Sequence, residues 1–189
     1  VSDWEPPGTA ADLLVASFAR WAAAERVGAA AQSRSRERWL RQQAAETATL
    51  VGTVVDLAEQ RADVAVLVGA RTIGGRIVGV GRDGLVMAEA SGAATVVPLD
   101  RVVAVRVAGR RTGTGEATGG RRAAGEWRVV DALAALAAER SPVRLGVTGG
   151  EILSGTVLTV GEDVLTVQLA AGGLRAHVAL ASVETATPV

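Results

Sequence analysis

All 20 basic residues of this 189-residue chain are arginine; lysine, cysteine, tyrosine and asparagine are absent, and His177 is the only histidine. Those absences exclude a phosphate-loop lysine, a lysine Schiff base, thiol catalysis, thiolate-bound zinc and any cluster of histidine ligands. A Ser-His-Asp site would have to use His177, which sits in an apolar stretch, and the chain has no Gly-x-Ser-x-Gly elbow. A satisfied strand histidine is the simpler reading. Asp83 and Asp163 each lie in a Gly-x-Asp turn. They fit either base-edge acceptors in a pocket or caps of their own turns, and capping asks for less. The glycines of residues 113–119 match neither the dinucleotide fingerprint nor the P-loop, so this segment reads as a tether. Its neighbours Arg110, Arg111, Arg121 and Arg122 suit contact with phosphate. Arg34, Arg36, Arg38, Trp39 and Arg41 form the best contact surface, since arginine with tryptophan suits protein interfaces and also phosphate with base stacking. The alternative is a solvated helix face with Trp39 packed beneath it. No enzyme, cofactor, metal or small-molecule substrate is expected.

The elements carrying these residues show a repeat. Residues 75–87 recur as 155–167, with Gly75, Gly81, Asp83 and Leu85 answering to Gly155, Gly161, Asp163 and Leu165 at a spacing of 80. Val51, Val54 and Leu57 answer to Val130, Leu133 and Leu136; downstream, Val97 and Val102 answer to Val178 and Val183. In each copy a helical apolar period gives way to alternation of period 2. The first copy reads as a helix over 49–61 and strands over 64–68, 72–80, 85–90, 95–97 and 102–107. The second reads as a helix over 127–139 and strands over 143–147, 151–160, 165–169, 174–178 and 182–186. The Gly74-Gly75 pair is expected to bend the long second strand. Closing five short strands on themselves would remove their edges.

Upstream, Leu14, Phe18 and Trp21 share one helical face, the apolar stripe of an arm that forms a long bent helix or a helical hairpin over residues 10–48. The expected organisation is therefore a helical arm (1–48), a first barrel (49–107), a flexible Gly/Arg-rich linker (108–125) and a second barrel (126–189). Formal net charge is zero, which gives no general attraction to nucleic acid. No run of about 18 apolar residues is present, and nothing at the N-terminus resembles a secretory signal. The expected compartment is cytoplasmic, with no membrane partner.

A helix, five bent strands and the turn motif Gly-x-Leu/Val-x-x-Val-Gly-x-Asp-x-Leu resemble the Sm/LSm superfamily, the fold of the RNA chaperone Hfq. The whole chain looks like an actinobacterial family built from an arm and two such barrels. The resemblance implies an α+β chain: a helical arm, then two Sm-like (SH3-like) five-stranded antiparallel barrels, each preceded by a short helix. Sm-type RNA sites also carry an asparagine after the aspartate and a stacking residue in a following loop. This chain lacks the asparagine, and only Trp127 stands at a barrel rim. The expected role is thus a non-enzymatic scaffold, its barrels packing through sheet edges and its partner another protein or itself. The alternative is a single-stranded RNA binder using the arginines of arm and linker.

Overall fold

The computed structural model describes residues 18, 21, 25, 32–108, 119–121 and 125–189. The chain divides into two compact units, residues 1–46 and 47–189. In the first, residues 32–46 form helix α1, and Phe18, Trp21 and Glu25 are also helical. Arg41 faces Glu37 at 3.6 Å, and Gln42 donates to Glu46 at 3.2 Å, both one turn apart as helical neighbours should be.

The second unit holds helix α2 (Leu50–Glu59) and strands β1 (Asp63–Val68), β2 (Arg71–Val80), β3 (Gly84–Glu89), β4 (Ala94–Pro98) and β5 (Val102–Val107). Helix α3 (Val129–Ala138) and strands β6 (Pro142–Val147), β7 (Ile152–Val160), β8 (Val164–Leu169), β9 (Arg175–Ala179) and β10 (Val183–Pro188) follow. The repeat survives in local detail. Each helix is followed by an arginine in the left-handed region, Arg61 and Arg140. A bulge interrupts β2 between Ile77 and Gly79, and β7 between Val157 and Thr159. The bend thus lies just beyond Gly74-Gly75. Gly75 and Gly155 serve instead to admit the next strand: an added Cβ would sit 2.2 Å from the Ala88 carbonyl oxygen and 2.1 Å from that of Gln168.

Two closed five-stranded barrels do not form. The ten strands make one open antiparallel sheet in the order β5-β1-β2-β3-β4-β10-β6-β7-β8-β9. Closure would need β4 beside β5. The three-residue 3-10 turn Leu99–Arg101 carries the chain from β4 across to β1, where β5 pairs, and leaves the outer edge of β4 to β10. The second repeat does the same through Leu180–Ser182, so β5 and β9 end the sheet. One edge of each repeat is removed by pairing the two repeats rather than by closing each.

Each repeat still surrounds its own core. Val54, Leu57, Val66, Leu85, Met87 and Val97 are buried in the first; Leu133, Leu145, Val157, Leu165 and Val167 are buried in the second. Val96 of β4 belongs to the second core, which ties the two together. No helix among the described residues is long and apolar enough to cross a membrane.

Candidate functional site

The arginine-tryptophan surface divides when placed on α1. At about 100° per residue, Arg34, Arg38 and Arg41 fall on one face, while Arg36, Trp39 and Leu40 fall on the other. Trp39 is 61 % exposed and Leu40 is exposed beside it; Phe18 and Trp21 are likewise exposed in the single chain. Arg38 donates back to the Arg34 carbonyl at 3.3 Å, and Arg41 leans toward Glu37. The helix therefore offers a partly neutralised cationic face and a separate apolar one.

Arg110, Arg111 and Arg122 lie outside the described residues. Arg121 is committed to α2, with Nε 3.1 Å from Asp56 and Nη1 2.8 Å from Glu59. The buried Asp56 carboxylate also accepts the Gly119 N–H at 2.9 Å, and the Gly119 carbonyl accepts the Thr49 N–H at 3.0 Å. Residues 119–121 are thus held against the start of α2, not free for phosphate. On the sheet, Asp63 raises the Arg76 pKa, first by a hydrogen bond and then by its charge.

His177 lies on β9, exposed, with Nδ1 3.2 Å from the Thr166 hydroxyl and no carboxylate partner among the described residues. No group of three or more metal-binding side chains occurs among those residues.

The densest set of specific contacts is the joint between the repeats. At its base the Thr95 hydroxyl meets that of Thr187 at 2.8 Å and donates to Glu89 at 2.6 Å. Val96 and Ala186 pair across β4 and β10. Above them the β2–β3 turn receives the lead-in to α3. Arg82 N–H donates to the Trp127 carbonyl and Gly125 N–H to that of Val80, both at 2.9 Å. The Trp127 ring lies on Gly81, where an added Cβ would come within 2.7 Å of it. Asp83 does not cap its own turn. Its Oδ1 accepts the Val129 N–H at 2.7 Å, and Arg128 stands 3.4 Å from Oδ2, so it caps α3 from the other repeat. Arg82 pairs with Glu126, and Arg101 donates to the Ala181 carbonyl.

Beside this joint opens a cleft of about 550 Å³ with Leu99, Val129 and Leu180 among its walls. Its cations, Arg82 and Arg128, are each paired with a carboxylate, and Asp100 and Glu162 add further negative charge. The cleft is therefore poorly suited to a phosphate.

Residue-level reading missed this joint because Asp83 and its partner are 46 positions apart. The signal lay where the copies differ: Trp127 and Gly84 have Ala48 and Val164 as counterparts. No family model matches the chain, and no curated protein matches it.

Proposed function

We propose that this chain is a non-catalytic scaffold that works through protein–protein assembly. One observation carries the reading: the most elaborate contacts of the sheet unit join one five-stranded repeat to another, edge to edge, through β4 and β10. The exposed Trp39 and Leu40 on α1 supply a second surface of the kind that anchors partner proteins. The lack of lysine and cysteine, with the only histidine bonded to a threonine, supports a role without bond chemistry. Kinship with the Sm-like superfamily is part of the proposal and rests on the repeated turn motif.

The test is affinity capture from native lysate with both protein and nucleic acid identified, using the intact chain and Trp39→Ala. A protein partner lost in the variant supports the scaffold. The second reading, single-stranded RNA binding, is favoured by Arg34, Arg38 and Arg41 sharing one face of α1. A short-RNA gel shift that weakens steeply with salt and is lost when those three become alanine would replace the first reading with the second.

A further inference from the structure

The two repeats agree in their packing and turn residues but differ sharply at one place on the outer face of the sheet. In the first repeat, Asp63 of β1 lies opposite Arg76 of β2, and the two side chains meet at 2.8 Å. Glu89 of β3 lies opposite Gly75 next to them. In the same register of the second repeat all three charges are gone. Pro142 lies opposite Thr156, and Leu169 lies opposite Gly155. One charge is gained instead, since Arg144 takes the place of Ala65. Where the ion pair would lie, a pocket of about 500 Å³ opens.

We propose that this pocket binds a small organic acid, with its carboxylate on Arg144 and its apolar body over Pro142 and Leu169. The inference goes beyond the scaffold reading and does not depend on it.

The polar groups converge. Arg144 pairs with Ser154, and Thr156 with Gln168, and residues paired across strands present their side chains on one face. None of these four side chains has a hydrogen-bond or ion-pair partner among the described residues. Arg144 is the only charged side chain in the pocket wall, and strands β6 to β9 contain no aspartate or glutamate at all. A carboxylate is the group that a lone guanidinium receives best, through two parallel N–H donors, and the hydroxyls and amide beside it add further donors. A phosphate would find a single cation for its two charges. Val189 also borders the pocket but is 76 % exposed, so any charge at that end is screened by solvent.

The apolar side of the pocket sets the rest of the ligand. Pro142 and Leu169 replace two carboxylates of the first repeat, which leaves a wall that accepts hydrocarbon. A mostly apolar cavity with a few aimed polar groups is the usual form of a small-molecule site.

The test is an NMR titration of the full chain with 4-phenylbutyrate, a probe with one carboxylate and an apolar body, and with the uncharged 4-phenylbutanol. Saturable shifts are expected at the amides of Arg144, Gly155 and Gln168, with a Kd of about 0.1–1 mM for the acid. The alcohol should bind about five-fold more weakly or worse, and Arg144→Ala should weaken the acid about ten-fold, with Arg144→Lys in between. Pro142→Asp with Thr156→Arg installs the ion pair of the first repeat and should abolish binding. Its urea midpoint should stay near that of the parent, because exposed ion pairs contribute little. No saturable shift at those amides, equal binding of acid and alcohol, or undiminished binding in the double variant would each overturn the inference.

Discussion

Gly84 and Val164 hold the same place in the two repeats, and only Gly84 has another repeat packed against it. An added Cβ at Gly84 would lie 2.4 Å from Val129 Cγ2 and 3.3 Å from the Val97 carbonyl oxygen. Gly84→Val should therefore cost about 1–3 kcal/mol in urea unfolding, the usual penalty of overpacking. The second turn is open, so Val164→Gly should change stability by about 1 kcal/mol or less. Asp83 and Asp163 form a second such pair. Removing the Asp83 cap should cost about 1–2 kcal/mol, because the Val129 N–H loses its acceptor. Asp163→Ala, at an exposed turn where the carboxylate has no partner among the described residues, should stay within about 0.5 kcal/mol. Equal losses for the two aspartates would mean that each serves its own turn after all.

At the scale of elements, the start of α2 and the end of the linker depend on each other. Thr49 caps α2 by accepting the Gly52 N–H at 3.0 Å, and its own N–H goes to Gly119. Gly119 has φ +68° and lies where any Cβ on Gly52 would strike it. Asp56→Ala should cost about 1–3 kcal/mol, since the Gly119 N–H and the Arg121 guanidinium lose a buried carboxylate. Amide exchange at Gly119 and Arg121 should speed up before that of β1; unchanged protection there would show that Asp56 does not hold the segment. The helices and strands themselves were legible, because valine alternation and the 80-residue spacing specify them one at a time. Their boundaries shift by one or two residues, and even the bulges repeat. Closure was not legible. Period-2 alternation states which face of β4 is buried, and that pattern is the same whether its edge meets β5 of its own repeat or β10 of the next. The decision lies in the lead-in to α3, where Trp127 covers Gly81 and gives the second repeat a fixed seat on the first. The arm surface was legible as composition only: helical geometry puts Trp39 and the triad Arg34, Arg38 and Arg41 on different faces.

Across residues 47–189, one continuous sheet runs through both repeats. Val96 sits in β4 yet is buried in the core of the second repeat, and Val86 packs against that same core. The buried hydroxyl pair Thr95–Thr187 spans the seam. Unfolding the first repeat alone would strip β10 of its neighbour, open the second core at Val96 and release the Trp127 seat. Those losses together disfavour a half-unfolded state, so one transition is expected. It can be read in a chain whose other tryptophans, Trp4, Trp21 and Trp39, are replaced by phenylalanine, leaving Trp127 as the reporter at the seam. Trp127 fluorescence and the strand band of the amide I spectrum should then move together along a urea titration. Truncating Trp127 to alanine should lower the midpoint, by about 2–4 kcal/mol of stability for a partly buried ring, and begin to separate early from late strand loss. Two resolved strand transitions in the parent chain would show instead that β4·β10 is a contact between two independently stable folds, and that the repeats need each other only for assembly.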